Sequence, residues 1–278
     1  MGLFDAFGYH GKRALVVGGA TGMGAAVAQL VQDAGAEVVV MDIAESTLAG
    51  AKHIHVDLSD RASIDAALDE CGGPVHALFS CAGVADGTPG IERINFIGHR
   101  YMIERLIAGD MLPKGSAIGF ISSAAGLGWE ANLDEVKDYL ATPDWDAAVK
   151  WIEEHGKADY MFSKQAICGY VASQAFPMLK RGIRINAICP GPTDTPLARA
   201  NEELWLTFGA DYRQELRIPP SAPLDQAYPL VFLCSDAAVA VNGTIFITDA
   251  GYISSGVTES FPPAAPAANF LLGRYDKL

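Results

Sequence analysis

The sequence has few basic residues and no apolar run of membrane-spanning length. Its 278 residues include 20 Lys and Arg against 33 Asp and Glu, which gives a formal net charge of −13. Nucleic acids and anionic membranes are bound by clustered Lys and Arg, and a spanning helix needs about 20 apolar residues. The sequence therefore predicts neither a nucleic-acid partner nor a membrane association. No basic segment precedes a long apolar one near residue 1, so no signal peptide is predicted.

Cysteine motifs and two common catalytic motifs are also missing. The five cysteines are odd in number, and no two have C-x-x-C spacing. Most lie in apolar segments such as "FSCAG", which predicts buried free thiols in a reducing, cytoplasmic compartment. His53 and His55 alternate on one predicted strand without a third ligand, so no metal site is predicted. No Gly-Lys-Ser/Thr or Gly-x-Ser-x-Gly sequence occurs, which argues against a Walker A loop and a hydrolase nucleophile.

Short apolar runs alternate with longer helical patterns along the whole chain. The predicted strands are Ala14–Val17, Glu37–Met41, His53–Val56, Val75–Ser80, Ser116–Ile121, Arg184–Ile188 and Thr244–Thr248. The predicted helices are Met23–Ala34, Ser59–Asp69, Ile91–Ile107, Asp159–Leu179 and Leu224–Leu233. Nearly all-apolar strands separated by helices are typical of a parallel sheet covered on both faces. The fold class is therefore α/β, a single-domain Rossmann-type doubly wound parallel sheet of about seven strands.

Three segments depart from this alternation. Residues 128–155 form an acidic, helix-prone insert that Pro143 divides into two short helices. Residues 193–220 include aromatic side chains at roughly helical spacing. The predicted domain covers residues 1–260, and the Pro- and Ala-rich tail, 261–278, is either disordered or reaches a partner subunit.

A glycine turn follows the first strand and opens the first helix. In "ALVVGGATGMGAAV", the glycines have G-x-x-x-G-x-G spacing. Glycines permit a tight turn and close approach of the backbone to a pyrophosphate, and the positive end of the helix favours the anion. Candidate cofactor-binding residues of this turn are Gly18, Thr21, Gly22, Met23 and Gly24.

An acid ends the second strand, eighteen residues beyond Gly24. Asp42 at this place can accept both ribose hydroxyls of adenosine and would repel the extra phosphate of NADP. No Arg or Lys lies in the turn or directly after Asp42. The sequence therefore favours NAD, with Asp42 and the adjoining Ile43 as cofactor-binding candidates.

These segments and those that follow resemble the short-chain dehydrogenase/reductase family over nearly the whole chain. "HVDLSD" resembles its adenine-binding pair, which implies that Asp57 and Leu58 contact the cofactor. "SCAG" resembles its Asn-Asn-Ala-Gly stretch, with Ser80 and Cys81 in place of both asparagines. Further residues that the resemblance assigns to the cofactor are Ala82, Gly83, Pro190, Gly191, Thr193 and Thr195, the last holding the nicotinamide carboxamide.

The resemblance also supplies a catalytic set. Asn95 in "RINFIGH", Ser123 in "GFISSAAG", and Tyr160 and Lys164 in "YMFSK" match the family's catalytic residues. Tyr160 and Lys164 lie one helical turn apart on one face, and both also belong to the expected cofactor site. Ser122 is left as an alternative to Ser123.

The Tyr-Lys pair predicts a phenol that serves as acid and base. A free phenol titrates near pH 10, and a cation about 4 Å away supplies roughly the 4 kcal/mol that lowers its pKa by about three units. Lys164 is expected to be that cation and to hold the nicotinamide ribose, and oxidised nicotinamide is expected to add a second positive charge. Tyr160 would exchange a proton with the substrate, Ser123 would bind the substrate oxygen, and Asn95 would anchor a water of a proton relay.

Within the family, the closest resemblance is to bacterial 3-alpha-hydroxysteroid dehydrogenase/carbonyl reductase-like members. The segment between "CAG" and Asn95 is short, and 37 positions separate Ser123 from Tyr160 because of the insert. This implies an alcohol or ketone substrate, bulky and apolar if the aromatic residues Trp205, Phe208 and Tyr212 form a lid. It also implies a homodimer or homotetramer. Two alternatives remain open at this point: a non-catalytic NAD-sensing regulator, and an epimerase or dehydratase that retains its NAD.

Overall fold

Seven parallel strands form a single sheet in the computed structural model, which describes residues 2–277. The sheet order is β3-β2-β1-β4-β5-β6-β7, and every neighbouring pair is parallel. The strands are β1 (Arg13–Val17), β2 (Glu37–Asp42), β3 (Lys52–His55), β4 (Ala77–Ser80), β5 (Ala117–Ile121), β6 (Arg184–Pro190) and β7 (Ile245–Thr248). All seven predicted strands are confirmed, with their ends shifted by at most two residues.

Thirteen α-helices occur among the described residues. They are α1 (Leu3–Phe7), α2 (Gly22–Asp33), α3 (Arg61–Cys71), α4 (Gly98–Ala108), α5 (Leu133–Leu140), α6 (Trp145–His155), α7 (Tyr160–Lys180), α8 (Pro196–Arg199), α9 (Glu202–Trp205), α10 (Ala210–Leu216), α11 (Pro223–Cys234), α12 (Tyr252–Val257) and α13 (Ala265–Leu271). A π-helical turn, Arg93–Ile97, leads into α4. Short 3₁₀ segments are Ala124–Trp129, Asp236–Ala238, Pro262–Ala264 and Tyr275–Lys277.

Helices cover both faces of the sheet, as a doubly wound fold requires. On one face α2 and α11 bury apolar side chains such as Val27 and Leu230. On the other face α3, α4 and α7 contribute Ile64, Ile103 and Ile167 to a larger core. The strand order reverses between β1 and β4, so the crevice at the carboxyl ends of these strands is the expected ligand site.

The insert consists of two helices, as predicted, with Pro143 between α5 and α6. Tyr139 of α5 packs against Phe162 of α7 and Trp151 of α6, with ring centres 5.5 Å and 4.9 Å apart. The insert therefore covers part of the long helix that carries Tyr160.

The tail is not disordered: α13 and the 3₁₀ segment before it pack on α12 of the same chain, and Ala264 and Ala268 are buried. The prediction of free thiols is confirmed, since all five cysteines are unpaired and only Cys81 is partly exposed. Across residues 2–277, no helix combines the length and apolar character that a membrane crossing requires.

Candidate active site

A cleft lies at the carboxyl ends of β1, β2 and β4, where the strand order reverses. Most of the predicted cofactor-binding residues line it: Gly18, Thr21, Gly22, Met23, Gly24, Asp42, Ile43, Asp57, Leu58, Ala82, Gly83 and Thr195. The sequence did not identify several further lining residues, among them Met41, Val56, Cys81, Val84, Ile94, Pro196 and Leu197. These residues are largely apolar, and their types alone do not point to a cofactor contact; the folded strand ends bring them together.

The glycine turn shapes the floor of the cleft. Gly18 has a φ of +79°, and a Cβ there would lie 2.4 Å from the backbone nitrogen of Ala82. A Cβ on Gly24 would collide with the Gly18 carbonyl at 2.0 Å. Neither position can carry a side chain, because the turn packs directly on α2 and on the segment after β4.

Two features of the cleft fit a dinucleotide. The side chain of Thr21, the N-cap of α2, makes no capping hydrogen bond, so the first N–H groups of the helix lack a side-chain acceptor and suit a pyrophosphate. A Cβ on Gly22 would reach to 3.5 Å from the Thr195 side chain, so a glycine keeps this part of the cleft open.

The end of β2 is acidic and lacks a cation. Asp42 accepts backbone N–H groups from Ala20 at 2.9 Å and Ala44 at 3.0 Å, which fixes its carboxylate at the rim. Ile43 beside it is 67% exposed and offers an apolar surface for a base. Neither Lys nor Arg is among the residues that line this cleft.

The structure brings Ser123, Tyr160 and Lys164 together. Ser123 begins the 3₁₀ turn after β5, and its hydroxyl lies beside that of Tyr160. Tyr160 is the first residue of α7, and the Lys164 Nζ atom is 5.4 Å from the centre of its ring. Lys164 is 4% exposed and donates a hydrogen bond to the Ile121 carbonyl at 3.1 Å.

Ser122, the alternative to Ser123, points away from this group. Its hydroxyl donates to the Lys164 carbonyl at 2.9 Å and lies 3.3 Å from the Cys168 sulfur. Ser122 therefore links the end of β5 to α7 through this hydrogen bond, and Ser123 is the serine that faces the phenol.

The predicted acidity of Tyr160 is wrong for the protein alone. Burial raises the pKa of Tyr160 to about 12; the Ser123 hydroxyl opposes this rise and the Asp86 carboxylate adds to it. Burial also lowers the pKa of Lys164 to about 8. The pair spacing is as predicted, but the ammonium lies over the ring and bonds to a carbonyl, and it is not among the groups that lower the pKa of Tyr160.

Asn95 is buried in the π-helical turn and braces the segment after β4. Its side chain accepts the Val84 N–H at 2.8 Å and donates to the Val84 carbonyl and to the Ser163 hydroxyl, both at 3.1 Å. A Cβ added to Gly83 would come to 3.4 Å from Asn95 Oδ1 and 3.3 Å from Lys164 Nζ. Asn95 is thus next to the lysine, but its side chain is committed to protein partners, and the water relay stays a prediction.

The remaining predicted cofactor residues lie at the end of β6. Thr195 lines the cleft and caps α8 by accepting the Ala198 N–H at 3.1 Å. Pro190, Gly191 and Thr193 are not among the residues that line the cleft, and their contact with a cofactor stays a prediction. Gly191 packs against Asp249, and the Thr193 hydroxyl donates to the Gly191 carbonyl at 3.0 Å.

Two neighbours of Tyr160 carry no motif and were not singled out as its contacts. Asp86 accepts the Tyr160 backbone N–H at 2.6 Å. Trp205, of the predicted lid, packs its ring 4.9 Å from the Tyr160 ring. Tyr212 of the same segment is instead buried against Tyr252, and so belongs to the core. Within residues 2–277 no group of three His, Cys, Asp or Glu side chains is placed to hold a metal.

Two family models match the chain in succession. A short chain dehydrogenase model matches residues 12–132, and an enoyl-(acyl carrier protein) reductase model matches residues 145–253. Together they cover the sheet, the cleft and the catalytic candidates.

The chain matches curated relatives and a solved structure over nearly the full length of each of them. The cis-4-hydroxycyclohexanecarboxylate dehydrogenase of Sinomonas cyclohexanicum is 30% identical, over 86% of this chain and 95% of its own. The 3-alpha-hydroxysteroid dehydrogenase/carbonyl reductase of Comamonas testosteroni is 28% identical, over 85% and 95%. The 3-alpha-hydroxysteroid dehydrogenase from Pseudomonas sp. B-0831, solved with NADH, superimposes with a TM-score of 0.69 at 25% identity, over 90% and 99%.

Proposed function

The chain belongs to the short chain dehydrogenase family, and from that premise we propose that it is an NAD-dependent alcohol dehydrogenase or ketone reductase. The observation that carries the proposal is the meeting of Ser123, Tyr160 and Lys164 beside a cleft built for a dinucleotide. The NADH complex of a similar dehydrogenase supports the nicotinamide cofactor. When bound, NAD would supply the hydride acceptor for the alcohol.

Asp42 is the reason to prefer NAD over NADP. Its carboxylate is suited to accept ribose hydroxyls, and the cleft lining offers no cation for a 2′-phosphate. Titration of the protein fluorescence with NADH and NADPH tests this choice. We expect NADH to bind at least about tenfold more tightly, and equal affinities would contradict the proposal.

The side chains define the proton chemistry. Tyr160 takes the alcohol proton during oxidation and returns it during reduction, while the Ser123 hydroxyl donates a hydrogen bond to the substrate oxygen. Because burial holds the pKa of Tyr160 near 12, the phenol needs more positive charge than Lys164 supplies in order to ionise near neutrality. The cationic nicotinamide of NAD is the proposed source of this charge.

A single-atom change tests the assignment. Tyr160→Phe removes the hydroxyl and keeps the ring that packs on Trp205. We expect turnover to fall by at least about 10²-fold, with the dissociation constant for NADH changed less than about twofold. Turnover close to that of the wild type would rule out Tyr160 as the acid/base.

The proposed substrates are secondary alcohols and ketones with bulky apolar rings, such as hydroxysteroids. The support is Trp205, which covers the phenol with an apolar ring, together with the hydroxysteroid and cyclohexane-ring substrates in the names of the relatives. A panel of cyclic, steroid and sugar alcohols, followed by NADH absorbance, tests this choice. Turnover confined to small polar sugars would contradict it.

We also propose a homodimer or homotetramer in the cytoplasm. The edge strand β7 exposes Phe246, and α11 beside it exposes Tyr228 by 55%. Because α5 covers part of α7, we propose that β7 and α11 form the subunit interface and that α7 does not. Light scattering should give two or four times the 29.4 kDa subunit mass, and Phe246→Lys should reduce it; a monomeric wild type would contradict this.

A further inference from the structure

The segment that follows β4 forms one wall of the cleft and is held from two sides. On the β1 side, the N–H groups of Cys81 and Ala82 both donate to the Val17 carbonyl, at 2.8 Å and 2.9 Å. Ala82 is also the residue against which Gly18 packs. The position of the Ala82 peptide therefore sets the width of the cleft between the glycine turn and Lys164.

On the opposite side, Ala82 is bonded to a histidine of α4. The Nε2 atom of His99 lies 3.1 Å from the Ala82 carbonyl oxygen. A carbonyl oxygen only accepts, so Nε2 carries the hydrogen and the neutral ring has an unprotonated Nδ1. That Nδ1 atom is buried and has no hydrogen-bond partner among residues 2–277.

His99 and Asn95 form a pair of braces. They lie at i and i+4, on one face of the helix. Asn95 bonds to Val84 and His99 to Ala82, so the two side chains hold the residues on either side of Gly83. Gly83 is the residue that faces Lys164 Nζ.

We propose that His99 is a positioning residue for the cofactor: its neutral imidazole fixes the Ala82 peptide, and with it the cleft wall between Gly18 and Lys164. This proposal rests on the proposed binding of NAD. His99 is 1% exposed and its ring packs edge-on against Phe120, 5.9 Å between centres, so the donor is held in one orientation. Burial lowers the pKa of His99 to about 4, which keeps the ring neutral at working pH.

Two substitutions at the same position separate the hydrogen bond from the packing. His99→Gln keeps an N–H near the position of Nε2, whereas His99→Phe keeps an aromatic ring and leaves the Ala82 carbonyl unbonded. We expect His99→Phe to weaken NADH binding about tenfold, the loss expected for one buried hydrogen bond. His99→Gln should stay within about twofold of the wild type.

A second histidine serves as the matched control. His76 also bonds to the backbone, accepting the Arg13 N–H at 3.0 Å, but at the amino ends of the strands. His76→Phe should lower the melting temperature without changing NADH affinity. Wild-type affinity in His99→Phe, or an equal loss of NADH affinity in His99→Gln and His99→Phe, would overturn the proposal.

Nitrogen-15 NMR of the wild-type histidines gives a test that needs no variant. We expect the signals assigned to His99 to show a neutral ring with its hydrogen on Nε2 that does not titrate between about pH 5 and pH 9. A hydrogen on Nδ1 would overturn the proposal even if His99→Phe failed to fold. Failure of the wild type to bind NADH or NADPH would instead overturn the proposed function, whatever His99 does.

Discussion

The floor of the cleft and its lid are built in different ways. The floor comprises the strand ends, α2 and the start of α7, and it holds Lys164 beside the cofactor cleft, where this lysine is 4% exposed and bonded to the Ile121 carbonyl. The segment proposed as a lid contains α8, α9 and α10, of four, four and seven residues. Its inward contacts are mainly ring pairs, such as Trp205 with Tyr160 and Phe208 with Tyr252.

Under the proposed function, we expect the floor to fix the chemistry and the lid segment to select the substrate. Helices of four residues are too short to be stable alone, so the lid holds its shape through the aromatic contacts and through Arg213, which donates to the Leu206 and Phe208 carbonyls. Segments with few buried contacts open at low free-energy cost. We therefore expect the floor to keep Tyr160 and Lys164 in place when the lid segment opens.

The largest expected effect comes from removing the charge buried in the floor. Burial lowers the pKa of Lys164 from 10.5 to about 8, so the folded protein disfavours its charged form. This costs about 3 kcal/mol of stability below pH 8, and the cost disappears as the pH rises to 10.5. Lys164→Met should therefore raise the free energy of unfolding in urea at pH 7 while lowering turnover at least about 10²-fold.

The exposed Lys180, at the end of the same helix, provides the control. Lys180→Met should leave turnover unchanged, and it should change the free energy of unfolding by no more than about 0.5 kcal/mol. If Lys164→Met is destabilising at pH 7 as well as inactive, the lysine stabilises the floor through its packing. The claim that its buried charge costs stability would then be wrong.

A smaller effect is expected from the lid. Trp205→Ala removes the ring that covers Tyr160, and aromatic contacts of this kind contribute about 0.5–1.5 kcal/mol. We expect the KM for a bulky ketone to rise about threefold to tenfold, with NADH affinity unchanged because Trp205 does not line the cofactor cleft. Steady-state kinetics with a bulky and a small ketone measure the effect.

Trp145 of the insert is the matched tryptophan, since it packs on Tyr101 away from the site. Trp145→Ala should leave both KM values unchanged. An equal rise of KM for bulky and small ketones in Trp205→Ala would show that Trp205 supports Tyr160 and does not select substrates.

Sequence patterns predicted the floor better than the lid for a physical reason. Strand periodicity, the glycine turn and the spacing of Tyr160 and Lys164 are local, so short-range chain geometry already determines them. Trp205 was identified as a lid candidate, but Tyr212 of the same segment is buried in the core. Short helices have too few turns for periodicity to show which face is buried.

The sequence did not predict contacts between segments that are far apart along the chain. Asp86 reaches Tyr160 across 74 positions, and His99 reaches Ala82 across 17. In the protein alone the pKa of Tyr160 is raised, and the sequence did not indicate this because the lysine is visible in the sequence and the depth of burial is not. Electrostatic predictions from spacing alone therefore omit desolvation, which dominates at this site.

The smallest expected effect is a shift in the pH dependence of kcat/KM when the charge of Asp86, next to Tyr160, is removed. Asp86 accepts the Tyr160 N–H, and its negative charge helps to raise the pKa of the phenol. Asp86→Asn keeps an acceptor oxygen and removes the charge, so the pKa of Tyr160 should fall. Because oxidation needs the ionised phenol, the pH profile of kcat/KM for the alcohol should move to lower pH.

Asp159 allows this shift to be assigned to one carboxylate. It caps the same helix by accepting the Phe162 N–H at 2.7 Å, but it is not among the groups that shift the pKa of Tyr160. Asp159→Asn should therefore leave the profile in place. If both variants move the profile equally, the phenol responds to the net charge around the helix start, and the contact between Asp86 and Tyr160 has no specific role in its acidity.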